Sequence, residues 1–208
     1  MGEVSKSESE IARRTIRRAC VFCGSNSGSS PEYEQAARLL GERLAASRTA
    51  LVYGGGRVGL MGVLADSVLA AEGQAIGVMP RSLVEKEIAH TALTQLHVVE
   101  SMHERKSLMA DLADAFILLP GGFGSWEEFC EVVTWHQLGF HQKPCGILNV
   151  AGYYDALLAQ AARAVSEGFL HSAHRDMVVV DRDPAALLSR LASAPASTEI
   201  KWSPNGRR

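Results

Sequence analysis

Pro120-Gly121-Gly122-Phe123-Gly124-Ser125-Trp126-Glu127-Glu128 is the densest run of chemistry-bearing residues in this chain. Three glycines, a hydroxyl and two acids follow the apolar residues Ile117, Leu118 and Leu119. A strand, loop and helix start of this kind aims the helix's unpaired N–H groups and its positive dipole end at whatever lies above the strand. Glycines let an anion approach that backbone. The expected anion is a phosphate, and one of the two glutamates can face the same ligand from the rim. Helix capping by Ser125, with Glu127 and Glu128 in the first turn, would account for the acids without any function. It would not account for three glycines after an apolar strand.

Two further stretches belong with it. Met102-His103-Glu104-Arg105-Lys106 opens a predicted helix with adjacent cations, where the dipole favours acids. A solvated basic face is the ordinary outcome, but cations set against that preference are what an anionic substrate requires. Gly54, Gly56 and Gly59 spell G-x-G-x-x-G. The motif follows the second predicted strand rather than the first, and Met79-Pro80-Arg81 stands where a ribose-binding acid would be needed, so a dinucleotide site is not supported. A tight turn is the plain reading of Gly54-Gly55-Gly56, and a mononucleotide or phosphate contact is the functional one favoured here.

The elements that must position these residues alternate. Strands are predicted at 18–24, 49–53, 74–79, 95–99, 115–119, 144–150 and 177–180. Between them lie a helix of about four turns capped by Ser30 before Pro31, and one over 60–72 that Gly73 ends. Residues 80–92 read as a short helix or loop, followed by helices over 102–112, 125–138 and 153–167 and one from the Asp183 cap to about Leu191. The strands are apolar throughout rather than alternating. That pattern predicts an α/β fold: a single Rossmann-like, doubly wound domain with a mostly parallel sheet and helices on both faces. In such a sheet ligands bind beyond the carboxyl ends of the strands, where connections diverge to opposite faces.

Composition narrows the partners. Hydrophobic residues make up 47%, charged residues 21%, and the formal net charge is -2, an ordinary globular profile without the basic excess of a nucleic-acid binder. Residues 1–17 are polar, with neither a secretory signal nor a membrane span, and read as a flexible tail before a domain at 18–192 and a second tail at 193–208. Cys20, Cys23, Cys130 and Cys145 are expected to be reduced thiols in the cytoplasm. Cys20 and Cys23 form a C-x-x-C within a strand, where residues three apart face opposite ways, so core packing is expected. The seven histidines contain no H-E-x-x-H, and His136 with His141 lacks a further ligand at a metal spacing, so no zinc site is predicted. Trp126, Phe129 and Trp135 read as core or subunit contacts.

Met102 to Lys106 followed by Pro120 to Glu128, with Gly54-Gly55-Gly56 before them, resembles the Lonely Guy family across roughly residues 18 to 192. Its members are cytokinin riboside 5′-monophosphate phosphoribohydrolases, often labelled lysine decarboxylases in error. The family usually has Thr where this chain has Ser125, which keeps the hydroxyl. The resemblance implies hydrolysis of the N-glycosidic bond of a nucleoside 5′-monophosphate to free base and ribose 5-phosphate, with AMP a further substrate. It implies Arg105 and Glu128 as the catalytic pair, Gly121, Gly122, Phe123, Gly124, Ser125, Trp126 and Glu127 as the cradle of phosphate and ribose, and Lys106, Glu87 and Thr134 as further contacts. It also implies a homodimer, and no cofactor. Glycosidic cleavage passes through an oxocarbenium-like state, so a carboxylate such as Glu128 can stabilise it or orient the attacking water. A Schiff-base role for Lys106 with pyridoxal phosphate is rejected, since nothing else in the chain suggests the large scaffold of those enzymes. The alternative reading is a non-catalytic carrier of a nucleotide-like or molybdenum cofactor.

Overall fold

The computed structural model describes residues 13–86 and 89–195. Seven strands, β1 (Arg18–Phe22), β2 (Ala50–Tyr53), β3 (Ala75–Pro80), β4 (Gln95–Val99), β5 (Ala115–Leu118), β6 (Cys145–Leu148) and β7 (Val178–Asp181), form one sheet. The sheet order is β4-β3-β2-β1-β5-β6-β7, and every pairing is parallel. Parallel neighbours need crossovers, and helices supply them: α1 (Pro31–Ala46), α2 (Gly59–Ala70), α3 (Arg81–Val84), α4 (Met102–Leu112), α5 (Phe123–Gln137), α6 (Asp155–Ser166), α7 (Ser172–Asp176) and α8 (Pro184–Ala192).

The strands are apolar on both sides because both sides are covered. Within β1 and the residue after it, Ala19, Val21 and Cys23 enter a core built with α1, α2 and α8, whereas Cys20 and Phe22 enter one built with α4, α5 and α6. The C-x-x-C is thus split between two cores by the period of two along a strand. Ser30 caps α1 by accepting from the Glu32 N–H, and Asp183 caps α8 by accepting from the Ala186 N–H. Among the described residues no helix is long and apolar enough to cross a membrane.

Most element limits shift by one or two residues from the sequence-based expectation and α7 is an addition to it; two of the differences have a cause in the packing. At the end of α2, Glu72 rather than Gly73 takes the left-handed conformation (φ 57), and the Gly73 N–H donates to Val68 O at 2.8 Å. Gly73 is needed for room: a Cβ there would lie 2.8 Å from Ala45 Cβ and from Val68 Cγ1. The second difference lies at α5. That helix begins at Phe123, two residues before the predicted Ser125, so Ser125 is its third residue rather than its cap, and Glu127 and Glu128 stand in the second turn. Gly124 inside the first turn had read as loop, and only the docking of α5 on the sheet overrides that weak propensity.

Candidate active site

β1 and β5 lie side by side in the sheet, but their connections part. The chain leaving β1 runs to α1 on one face, and the chain leaving β5 runs to α5 on the other. This is the switch point at which a doubly wound sheet opens a crevice. The two exits are tied at their base by the Gly24 N–H donating to Pro120 O at 3.0 Å. Above them is a cavity of about 500 Å³. One wall is the loop Gly24 to Gly28, the other is Pro120 to Ser125, and Arg105 and Glu128 are its charged lining residues. Tyr33, Leu60, Met61, Met102, Phe123 and Tyr153 give the rest an apolar character.

The α5 wall is built to meet an anion. Gly122 is the N-cap and has no side chain to offer, and the Trp126 N–H to Gly122 O bond, at 3.1 Å, closes the first turn. The N–H groups of the first turn therefore have no partner within the helix and carry its positive end. Ser125 is 5% exposed, and its hydroxyl lies 2.3 Å from the point where a Cβ on Gly121 would sit, so Gly121 is bare to admit it. Two hydroxyls from the segment before α6 fix the loop from behind: Tyr154 donates to Leu119 O and Tyr153 to Gly121 O, both at 2.7 Å.

Arg105 enters from α4. Ser101 caps the helix by accepting from the Glu104 N–H at 3.1 Å, and Glu104 in turn accepts from the Glu100 N–H at 2.8 Å just before the cap, which starts the helix and sets Arg105 in its second turn. The guanidinium donates through Nε to Val78 O at 3.0 Å and through Nη2 to Gly54 O at 2.9 Å. Glu128 comes from α5 and is largely buried; that burial pushes its carboxyl above the ordinary range, with Arg105 pulling the other way. Glu128 and Cys23 line the same cavity, and burial first, with the Glu128 charge second, pushes up the Cys20 and Cys23 thiols.

The structure thus brings Arg105, Gly121, Gly122, Phe123, Gly124, Ser125 and Glu128 to one cavity. Other candidates sit beside it. Lys106 pairs with Glu127 and, at 3.1 Å, with Glu131, which joins α4 to α5 directly behind the catalytic candidates; the Glu127 contact is the main reason its ammonium is held more basic than usual. Trp126 packs against the second core and, edge-on at 5.2 Å, against Phe123. Thr134 donates to Cys130 O at 2.7 Å and lines a separate apolar groove between α5 and α6. Gly54, Gly55 and Gly56 lie outside the cavity lining. Glu87 lies outside the described residues.

Several lining residues were not singled out as site residues from the sequence: Ser25, Asn26 and Ser27 in the loop after β1, Tyr33, Met61 and Tyr153. The loop after β1 was within reach, because a doubly wound order puts the first strand at the switch point. Tyr153 carried no signal at all, since it follows β6 and arrives only through tertiary packing.

A family model described as "Possible lysine decarboxylase" matches residues 61–191. A protein of Rhodococcoides fascians named cytokinin riboside 5′-monophosphate phosphoribohydrolase is 48% identical over 88% of this chain and 92% of its own length. An Arabidopsis thaliana protein of the same name is 46% identical over 88% of this chain and 84% of its own. The chain belongs to the cytokinin riboside 5′-monophosphate phosphoribohydrolase family, Lonely Guy. Among solved structures, a molybdenum cofactor binding protein from Rippkaea orientalis matches with TM-score 0.61 and 22% identity over 82% of this chain and 91% of that one. The molybdenum cofactor carrier protein of Chlamydomonas reinhardtii matches with TM-score 0.64 and 18% identity over 85% and 98%. At those identities the likeness is one of fold, and the phosphoribohydrolase family is the one whose sequence this chain shares.

Proposed function

We propose that this chain hydrolyses the N-glycosidic bond of cytokinin riboside 5′-monophosphates, and of AMP, giving the free base and ribose 5-phosphate. The observation that carries this reading is the meeting, in one cavity, of an uncapped helix N-terminus with an arginine and a carboxyl group from two other positions. The 5′-phosphate would accept from the first-turn N–H groups of α5, with Gly122 and Gly124 leaving its path clear and the Ser125 hydroxyl, admitted by the bare Gly121, beside it. Arg105 would hold phosphate or ribose oxygens with the N–H groups its backbone contacts leave over. Glu128 would stand against the anomeric carbon, stabilising positive charge as the bond to the base lengthens and orienting the water whose oxygen joins C1′. The water's proton balances the departing base. Lys106, Glu127 and Trp126 act by holding α4 and α5 so that Arg105 and Glu128 face one another.

The apolar groove that holds Thr134 supports association with a second copy of the chain, which would bring further side chains to the substrate. Four free thiols, three of them buried, fit a reducing cytoplasm. The deciding experiment incubates the protein with isopentenyladenosine monophosphate and with AMP and follows free base by chromatography, beside Glu128→Ala. Base release that the substitution abolishes supports the reading. No release from either nucleotide, or undiminished release by the variant, defeats it, and a nucleotide or pterin that co-purifies without turnover would point to a carrier instead.

A further inference from the structure

Gly54-Gly55-Gly56 has the composition of a phosphate cradle, yet none of the three lines the cavity. What Gly54 does meet is Arg105. The guanidinium lies across the carboxyl ends of β2 and β3, bonded to Gly54 O at 2.9 Å and to Val78 O at 3.0 Å. A Cβ built on Gly54 would fall 2.0 Å from Nη2 and 3.1 Å from Cζ. Any side chain at position 54 therefore competes with the guanidinium for the same volume.

We propose that Gly54 is a positioning residue for Arg105, and that the glycine loop is an arginine cradle rather than an anion site. The inference rests on the reading of Arg105 as a group that binds the substrate. A free arginine samples many rotamers, and its planar fork recognises phosphate or ribose oxygens well only when its plane is fixed. Two acceptors on neighbouring strand ends fix that plane while occupying Nε and one hydrogen of Nη2; Nη1 meets the Met102 sulfur, a weak acceptor, at 3.7 Å, and its other hydrogen and the second of Nη2 stay available to a ligand. The cradle is itself clamped. Gly55 has φ +78, its carbonyl accepts from the His90 N–H at 2.8 Å, and Gly56 makes an antiparallel bridge with Ala89. Gly54, by contrast, is outside the left-handed region, and what its Cβ would strike is the mobile end of a long side chain. An alanine there can be folded around, but only by moving the guanidinium.

The test is a double-mutant cycle of Gly54→Ala, Arg105→Ala and the pair, read as kcat/KM for base release and as Tm. Gly54→Ala is expected to lower kcat/KM by about 10²-fold, the scale of a misplaced catalytic group, with a Tm close to the parent's. The pair is expected to be no worse than Arg105→Ala, since a residue that acts only through another has nothing left to disturb. Millimolar guanidinium ion should restore part of the activity of Arg105→Ala, whose cradle is intact, and should not restore the pair. A Gly54→Ala enzyme within about threefold of the parent, or a loss that adds in full to that of Arg105→Ala, overturns the cradle. If Arg105→Ala itself retains the parent's activity, the substrate-binding reading of Arg105 fails first and is recognised by that single variant.

Discussion

Gly124→Ala should make this protein more stable and less active at once. Gly124 is the second residue of α5, lines the cavity, and has no heavy atom within 4 Å of where a Cβ would be. Its φ is outside the left-handed region, so alanine fits the backbone and gains helix propensity of roughly 0.5–1 kcal/mol. For a chain of this length that corresponds to a rise in Tm of about 1–4 °C. The same methyl would stand in the space through which a phosphate oxygen reaches the first-turn N–H groups. A loss of at least about tenfold in kcat/KM is expected, equivalent to roughly 1.4 kcal/mol of transition-state binding. Gly121→Ala provides the contrast, because its Cβ would lie 2.3 Å from Ser125 Oγ and 2.9 Å from Gly24 N. Overpacking there costs about 1–3 kcal/mol, so stability and activity should fall together. Thermal melts and steady-state base release on the two variants decide the matter. A Gly124→Ala protein with the parent's kcat/KM would refute phosphate binding at the α5 terminus, and a lowered Tm would refute the helical account of the loop.

Glu128 yields predictions with a definite sign. Burial holds its folded pKa above the unfolded one, so ionising it opposes folding: stability is lost as pH rises from the unfolded pKa through the folded one. The Tm advantage of Glu128→Gln over the parent should therefore grow across that interval and stay at neutral pH; melts over a pH series that show a constant or shrinking difference would contradict it. Because Arg105 lowers that pKa, Arg105→Gln should move the Glu128 titration, followed by carbon NMR, to higher pH. Tyr154→Phe removes the donor to Leu119 O and leaves a buried carbonyl unpaired, at about 1–3 kcal/mol in denaturant unfolding. Gly59 combines φ +58 with a Cβ position 2.3 Å from Ser25 C, so Gly59→Ala should lose roughly 2–5 kcal/mol of unfolding free energy in the same assay and displace the loop after β1.

The sequence by itself determined the layered parallel sheet, because strands apolar on both faces separated by helix-length segments have one common solution, and β4 and α4 agree with the predicted limits to the residue. The pairing of Arg105 with Glu128 came from the family resemblance that the two motifs carry, and both side chains line one cavity. Even local structure was partly legible: the α1 and α8 caps were read correctly, whereas the Ser101 cap of α4 was not anticipated. The tertiary structure decided the division of labour among glycines that look alike in sequence. Gly54 clears room for a guanidinium, Gly121 for a hydroxyl, Gly73 for a helix contact, while Gly122 and Gly124 face open space. Which neighbour a missing side chain makes room for is set largely by segments distant in the chain, such as Arg105 against Gly54 or Gly24 against Gly121. The strand order fixes those meetings, and no local pattern encodes it.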